Sequence, residues 1–340
     1  VYKRQSPDSG NVSKNACFLN NGDGTFIKFD ESSVIVDDTT TENACVNWVD
    51  YDNDGDMDIY VLNFTLEADG PLSALYENLG DMQFNKHVFE DEMYRNSFTN
   101  SSVWGDLDND GDLDLYVSVE NNEFPFTSGG DTSATPYNLV FLNDGNGGFT
   151  NILDHPLAYE DSHTSFMFDH DNDGDLDIML VRYSWSTDGI NNLFINEGND
   201  NSWIVLTCEG TISNRSAIGA RIYAKAYVNG KNVTQTREIT PVNGHLAYAN
   251  LRVHFGLGDA DVIDTLVIRW PSGQVDEYMN VKANQFYRAI EDDKLEIDFK
   301  ATNYIQCSPE LPDLLITEGE SETLDLKQYY HFVKGDTVPE

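Results

Sequence analysis

A nine-residue acidic segment occurs three times in this chain with almost no variation, and it constrains the fold more than any other feature. Each copy has aspartate at positions 1, 3, 5, 7 and 9 and glycine at position 6. Five carboxylates so close together repel one another strongly unless a cation lies among them. The three copies, called the acidic loops below, are loop 1 (50–58), loop 2 (106–114) and loop 3 (169–177).

The spacing of the carboxylates predicts one hard cation in each acidic loop. Aspartates at positions 1, 3 and 5 can wrap an ion, the glycine makes the sharp turn, position 7 offers its backbone carbonyl and position 9 closes the shell. Oxygen-only ligands on a flexible loop favour Ca²⁺ over Mg²⁺, so we expect about three calcium ions. The predicted ligand residues are Asp50, Asp52, Asp54, Asp56, Asp58, Asp106, Asp108, Asp110, Asp112, Asp114, Asp169, Asp171, Asp173, Asp175 and Asp177.

The acidic loops begin like EF-hands, but their surroundings argue against that fold. An EF-hand needs a bidentate glutamate at position 12 and a helix on each side. Position 12 is Val61, Val117 or Leu180 here, and short apolar runs of β-type residues precede and follow each loop. The sequence therefore predicts strand–loop–strand units. The plainer alternative, acidic turns that only contact water, accounts poorly for three copies in register.

A second turn signal lies between the acidic loops. An asparagine followed within two residues by glycine separates apolar runs at Asn20, Asn78, Asn143 and Asn196. Such turns favour β-hairpins because they need positive φ angles. Each unit therefore holds about four strands, which is typical of a propeller blade.

These motifs carry a family resemblance. Residues from about 15 to 200 resemble FG-GAP/VCBS-type repeats, as in integrin α-chain propellers. The motifs that follow are similar to the ASPIC/UnbV domain found after FG-GAP repeats in the cartilage acidic protein family. The resemblance implies an extracellular, calcium-binding propeller protein without catalytic residues. It also implies more blades than are counted here, so we expect an N-terminally truncated array. The later motifs are Ser213–Arg221, Arg237–Ile239, Asn243–His245, His254–Gly258 and Trp270–Gly273.

We predict an all-β chain, in which a partial β-propeller of FG-GAP/VCBS-type blades precedes a β-sandwich-like domain. Residues 1–200 would form about three and a half blades, and 201–300 the ASPIC/UnbV domain. Residues 301–340 resemble a linker and the start of an Ig-like or cadherin-like repeat.

Charge and composition limit the partners of the chain. The net charge is −39 over 340 residues, which disfavours nucleic acid and anionic membranes. No apolar stretch reaches the length of a membrane-spanning helix. Extracellular modules bind Ca²⁺ weakly, where it is abundant, so we expect a secreted or cell-surface protein whose signal peptide is not present in this chain.

The cysteine and histidine residues give little sign of a disulfide scaffold or of a catalytic or metal-binding site. The four cysteines are too few for a disulfide scaffold, and we expect buried free thiols rather than disulfides at Cys17, Cys45, Cys208 and Cys307. The cluster of His245, His254, Arg237 and Arg252 is the one group in the second domain that could act on a ligand. Structural histidines bonded to turn carbonyls are the preferred interpretation, because no nucleophile or metal-type spacing accompanies them.

Two functional classes remain open from the sequence. The first is a non-enzymatic adhesion or matrix-binding protein, with an extracellular protein or glycan as ligand and calcium stabilising the blades. The alternative is a carbohydrate-binding module or an enzyme-associated propeller domain, for which exposed aromatic residues would supply stacking surfaces. No catalytic motif stands out. The aromatic candidates are Tyr183, Trp185, and Phe124, Phe126 and Tyr137 in the 122–137 insertion.

Overall fold

The chain folds into β-strands joined by turns, which confirms the predicted all-β class. In the part of the chain that the structure describes, no helix is long and apolar enough to cross a membrane. The only helical segment in those residues is one 3₁₀ turn, Pro156–Tyr159. The computed structural model describes residues 16–29, 34–35, 43–63, 73–81, 83–88, 98–120, 138–152, 154–159, 162–182, 191–242, 249–298, 305–307 and 330–332.

The N-terminal part forms a series of antiparallel sheets in which neighbouring strands follow one another along the chain. This meander is the pattern of propeller blades, and it confirms the predicted partial propeller. A hairpin comes first, made of β1 (Phe18–Asn20) and β2 (Phe26–Lys28). Blade 1 contains β3 (Asn43–Val49), β4 (Asp58–Asn63), β5 (Ala74–Asn78) and β6 (Phe84–Val88). Blade 2 contains β7 (Phe98–Gly105), β8 (Asp114–Glu120), β9 (Leu139–Asn143) and β10 (Phe149–Asn151). Blade 3 contains β11 (Thr164–Phe168), β12 (Asp177–Val181) and β13 (Asn192–Phe194).

The blades pack face to face around their first strands. Strands β3, β7 and β11 lie side by side, so they form the hub of the array. Tyr60 in β4 and Leu115 in β8 contribute to one apolar cluster between blades 1 and 2. Tyr116 in β8 and Leu180 in β12 contribute to a second cluster between blades 2 and 3. Both faces of β4 and β8 are buried, which explains their continuous run of β-branched, aromatic and leucine residues.

The second domain is a sandwich of two four-stranded sheets, as predicted. Side chains in β15 alternate between buried and exposed positions, because one face packs on the other sheet and one face is solvated. Phe255, Ile268 and Trp270 are among the buried residues of the single core cluster that both sheets share. One sheet has the order β17 (Val253–Gly258), β14 (Ser202–Glu209), β20 (Gln285–Ile290) and β21 (Leu295–Ile297). The other has the order β16 (Lys231–Glu238), β15 (Arg221–Val228), β18 (Val262–Arg269) and β19 (Val275–Lys282).

The C-terminal segment is described only in part. Strands β22 (Ile305–Cys307) and β23 (Tyr330–Phe332) pair in an antiparallel arrangement. The rest of the predicted Ig-like or cadherin-like start lies outside the described residues. The same holds for His245 and for all five aromatic candidates for glycan binding.

Three of the four cysteines agree with the thiol prediction. Cys17, Cys45 and Cys208 are free thiols. Cys45 and Cys208 are buried, whereas Cys17 is only half-buried.

Candidate metal centres beneath the sandwich domain

Each acidic loop joins the first strand of a blade to its second strand. The three loops share one backbone conformation: the position-4 asparagines Asn53, Asn109 and Asn172 have φ angles of 57°, 58° and 60°. The position-6 glycines have φ angles near 100°, as at Gly55 (97°) and Gly111 (104°). Asparagine and glycine are the residues that adopt such positive angles at least cost, which explains the Asn-Asp-Gly order.

The loop backbone brings three carboxylates of each loop together, those at positions 1, 3 and 9. One oxygen from each of the three lies within 4.8 Å of the others. The carboxylate at position 5 accepts the backbone N–H of position 7, as Asp54 does from Asp56 at 2.8 Å. Each cluster could therefore hold a metal ion. The clusters are Asp50, Asp52 and Asp58, then Asp106, Asp108 and Asp114, and then Asp169, Asp171 and Asp177.

The position-9 aspartates also fix the hairpins of their own blades. Asp114 Oδ2 accepts the backbone N–H of Leu107 at 2.8 Å, and its Oδ1 accepts that of Asn143 at 2.9 Å. Asp58 and Asp177 make the same pair of bonds in blades 1 and 3. Each position-9 carboxylate thus ties the start of its acidic loop to the end of the third strand.

The acidic loops bring buried carboxylates of like charge together, which raises their pKa values. Burial raises the pKa of Asp50 to about 7 and, with the charges of Asp52 and Asp50 adding to it, that of Asp58 to about 8. Burial and the neighbouring carboxylates, Asp114 first among them, raise the pKa of Asp106 well above its usual range. Buried carboxylates favour a cation placed among them, because its positive charge offsets both the cost of burying their charges and the repulsion between them.

Two buried oxygens in the clusters have no hydrogen-bond partner among the described residues. They are Oδ1 of Asp106, which is 1% exposed, and Oδ1 of Asp171. Both atoms belong to the carboxylates that converge within 4.8 Å. A buried oxygen without a donor costs free energy unless an ion or a water molecule binds it. The donor set and these two atoms fit a hard divalent cation.

Side-chain amides at position 4 connect each acidic loop to the next. Asn53 Nδ2 in loop 1 donates to Asp112 Oδ1 in loop 2 at 2.7 Å and to the Gly111 carbonyl at 3.0 Å. Asn109 Nδ2 in loop 2 donates to Asp175 Oδ1 in loop 3 at 2.6 Å. The position-7 side chains of loops 2 and 3 therefore contact the preceding loop. This agrees with the predicted ligand set, in which position 7 offers its backbone carbonyl to the metal.

The hairpin asparagines make a second connection at each junction. Asn143 Nδ2 donates to the Tyr51 carbonyl of loop 1 at 2.7 Å and to the Leu113 carbonyl of loop 2 at 3.2 Å. Asn196 Nδ2 donates to the Leu107 carbonyl of loop 2 in the same way, at 2.8 Å. These residues were predicted as turn formers only. Their role between blades, and that of the position-4 asparagines, was missed, although the identical asparagine in all three loops is a signal that could have revealed it.

The sandwich domain contacts all three acidic loops. The Thr236 N–H donates to Asp50 Oδ2 in loop 1 at 2.8 Å. The Gly258 N–H donates to the Asn109 carbonyl in loop 2 at 2.8 Å. For loop 3, Arg252 Nη1 donates to Asn172 Oδ1 at 2.6 Å. The rim of the propeller that carries the acidic loops is thus covered by strands of the second domain.

Close packing at this interface explains the glycine at position 256 in β17, and it places Arg237 of β16 beside the acidic loops. A Cβ atom at Gly256 would lie 2.0 Å from Asp106 Oδ2 and 2.6 Å from Asn109 Cα, so only glycine fits there. Arg237 is half-buried, with its guanidinium 5.3 Å from the centre of the Phe255 ring. Burial lowers the pKa of Arg237, and the nearby carboxylates of loops 1 and 2 oppose that shift. Arg237 thus places one fixed positive charge close to the acidic loops.

His254 has the structural role that the sequence favoured. Its Nε2 lies 3.0 Å from the Gly174 carbonyl in loop 3, so Nε2 carries the proton and donates it. Burial lowers the pKa of His254 to about 4, which keeps the ring neutral near pH 7. His254 and Arg252 thus contact loop 3, and Arg237 lies over loops 1 and 2.

A cavity of about 140 Å³ lies between the hub strands and the sandwich domain. Arg237, His254 and Asp106 line it, together with Trp48 and Met167 from the hub. His254 Nδ1 is buried and has no hydrogen-bond partner among the described residues. The mixed donors and acceptors suit ordered water, and the volume is enough for several molecules at roughly 10–15 Å³ each.

Comparisons with known proteins agree with both parts of the architecture. Residues 8–61 match the family model described as FG-GAP-like repeat, and residues 210–296 match the one described as ASPIC and UnbV. A search of curated proteins gave no match. Among solved structures, the chain is similar to the V. cholerae biofilm matrix protein Bap1, with 11% identity and a TM-score of 0.24. That alignment covers 84% of this chain and 67% of the other.

Proposed function

We propose that this FG-GAP repeat protein with an ASPIC/UnbV domain is a secreted or cell-surface binding protein, non-catalytic, whose blades are held in place by calcium. The observation that carries the proposal is the repeated convergence of three buried or half-buried carboxylates in each acidic loop. The ligand would be an extracellular protein or glycan.

Calcium is the cation that best suits these clusters. The ligands are oxygen atoms only, and the loop supplies them from alternate residues without a rigid octahedral frame. Positions 1, 3 and 9 would hold the ion directly, with position 5 and the backbone carbonyl of position 7 completing the shell. The ion would offset part of the loop's negative charge and fix the corner between the first and second strands.

The role of calcium in this proposal is structural. None of the described carboxylates in the clusters is paired with a nucleophile or with a histidine positioned as a base. His254, a half-buried histidine near them, donates to the Gly174 carbonyl. The described members of the candidate chemical cluster, His254, Arg252 and Arg237, therefore lie in the contact between the domains, which favours a binding protein over an enzyme.

The rim of the propeller opposite the acidic loops is the surface that we assign to ligand binding. The sandwich domain covers the rim with the acidic loops, and the second strands end at the opposite rim, at Asn63, Glu120 and Val181. Connections between the second and third strands depart from that rim. Loops on a rigid β-scaffold are the usual place for recognition residues. The glycan-binding alternative stays a prediction.

A thermal melt with and without calcium tests the proposal. The purified chain is melted in excess EGTA and then in 10 mM CaCl₂, with 10 mM MgCl₂ as a cation control. Saturation of a site at roughly 10 to 100 times its Kd stabilises the native state by about 1.4–2.7 kcal/mol. We expect a calcium-specific rise in Tm that becomes smaller in Asp52→Ala, Asp108→Ala and Asp171→Ala.

A matched control separates ligand loss from a general effect of removing charge. Asp264→Ala removes an aspartate from β18 in the sandwich domain and should leave the calcium shift intact. Equal Tm values in EGTA and calcium for the wild-type chain would contradict the proposal.

A further inference from the structure

We infer that the three acidic loops bind calcium cooperatively, because side-chain amides couple each loop to the next and the sandwich domain continues the series. The inference rests on the proposed calcium function and concerns the regulation of those same sites. It predicts a calcium response steeper than that of three independent sites.

The coupling contacts repeat at both junctions between loops. At the first junction, Asn53 reaches across to Asp112 Oδ1, and Asn143 bonds a carbonyl of each loop. At the second junction, Asn109 reaches across to Asp175 Oδ1, and Asn196 takes the place of Asn143. The same two amides, in the same loop and hairpin positions, therefore tie each pair of loops together.

Calcium can bias these contacts because the loop that presents the acceptor is the loop that the ion orders. Asp112 and Asp175 occupy position 7, whose backbone carbonyl belongs to the predicted shell. An ion that fixes this residue also fixes the carboxylate that accepts the amide of the preceding loop. Without the ion, the repulsion among five carboxylates opposes that arrangement. Calcium binding at one loop therefore favours the ordered conformation of the neighbouring loop, and that conformation binds the next ion.

The acceptors are charged and the donors are buried or half-buried, which gives the contacts enough strength to transmit the effect. Asn109 is 1% exposed, and its bond to Asp175 measures 2.6 Å. Hydrogen bonds to charged groups are stronger than those between neutral groups. Coupling between sites typically changes affinity by about 5- to 150-fold.

After loop 3, the sandwich domain makes the contacts that the next acidic loop makes at the two earlier junctions. Asn172 stands at position 4, and no fourth acidic loop follows it among the described residues. Its side chain instead accepts a hydrogen bond from Arg252, and the Gly174 carbonyl accepts one from His254. Ordering of loop 3 by calcium would therefore also strengthen the contact between propeller and sandwich.

Calcium titration of the full chain tests the inference. Isothermal titration and native mass spectrometry would follow the wild-type chain, Asn109→Gly and Asn280→Gly from EGTA-treated protein. Asn109→Gly removes the amide and keeps a residue suited to the positive φ angle of 58°. Asn280→Gly makes the same change at an exposed β19 position with a φ angle of 54°, so it controls for backbone effects.

The expected result is a Hill coefficient above one for the wild-type chain and Asn280→Gly. Asn109→Gly should still bind three ions, with a Hill coefficient closer to one and about tenfold weaker binding at its weakest site. A non-cooperative wild-type isotherm, or identical isotherms for the two variants, would overturn the coupling and leave the calcium function intact. No calcium binding by any of the three proteins would overturn both.

Discussion

Two buried carboxylates, one in each domain, show how differently the chain treats the same chemical group. Asp106 in loop 2 and Glu291 in the sandwich domain are each only 1% exposed. Glu291 accepts backbone N–H bonds from Thr211 and Ile212 and hydroxyl bonds from Ser213 and Ser272. Among the described residues, Asp106 accepts one bond, from the Gly111 N–H, and its other oxygen has no partner.

The difference in donors reverses the sign of the pKa shift. Burial acts to raise the pKa of both groups, but the Ser272 and Ser213 hydroxyls and the backbone N–H groups outweigh it at Glu291 and lower that pKa to about 2. At Asp106, burial and the neighbouring carboxylates, Asp114 first, act together and raise it. The sandwich domain satisfies its buried charge with its own donors, whereas Asp106 lacks such donors, which is why we propose a cation there.

The largest expected effect is that of Asp106→Asn, which should lower the free energy of unfolding in calcium and leave it equal or higher in EGTA. In 5 mM CaCl₂ the variant loses the stabilisation from one site, about 1.4–2.7 kcal/mol at free calcium roughly 10 to 100 times Kd. In EGTA the variant should be as stable as the wild-type chain or more stable, because one repelling charge is gone. Urea unfolding in the two buffers measures both values. An equal loss in calcium and in EGTA would show that Asp106 is an ordinary structural residue.

The matching change in the sandwich domain should not depend on calcium. Glu291→Gln replaces an acceptor oxygen with an NH₂ group that faces donors, so it leaves buried donors unpaired. We expect a loss of about 1–3 kcal/mol in the free energy of unfolding, equal in CaCl₂ and EGTA. Glu277→Gln, at an exposed position of β19, serves as the control. A loss that appears only in calcium would mean that Glu291 acts through the metal sites, which would contradict the difference between Glu291 and Asp106.

Glu291 also predicts a pH dependence with a definite sign. Its pKa is about 2 in the folded chain against an ordinary value of 4.5. A lowered folded pKa gives stability that is present above pH 4.5 and is lost as the pH falls towards 2. The difference in unfolding free energy between the wild-type chain and Glu291→Gln should therefore shrink over that range. A difference that stays constant from pH 5 to pH 2 would contradict the lowered pKa.

The smallest expected effect concerns an exposed contact between the two domains. Lys231 Nζ lies 2.9 Å from Asn146 Oδ1, and both residues are exposed. Exposed polar contacts contribute little, so Lys231→Ala should change the free energy of unfolding by less than about 0.5 kcal/mol. Urea unfolding provides the test. A loss above 1 kcal/mol would mean that surface charge, and not the buried contacts with the acidic loops, holds the domains together.

Local patterns predicted most of the fold. The strand–loop–strand units, the Asn-Gly hairpins and the alternating strands of the sandwich depend on neighbours in sequence, so the sequence displays them directly. The clusters at positions 1, 3 and 9 also follow from the spacing of one loop. Position 5 as a ligand stays a prediction: Asp54, Asp110 and Asp173 each accept the backbone N–H of position 7 with one carboxylate oxygen.

The contact between the domains could not be predicted in the same way. The Gly256-Leu-Gly258 motif gave no sign that Gly256 lies against Asp106, because that contact joins residues far apart in the chain. The sequence did not indicate that Glu291 is a buried acceptor either, because its donors come from turns near residues 211–213 and 272. Both depend on how two sheets and three blades are placed, which no local spacing encodes.

The most direct test of the account is the number of calcium ions that the folded chain binds. Native mass spectrometry of the wild-type chain in millimolar calcium should show three ions per chain. The triple variant Asp52→Asn, Asp108→Asn and Asp171→Asn, matched in size and fold, should show none. A wild-type chain that binds no calcium under these conditions, or a triple variant that still binds three ions, would contradict the assignment of the acidic loops as metal sites.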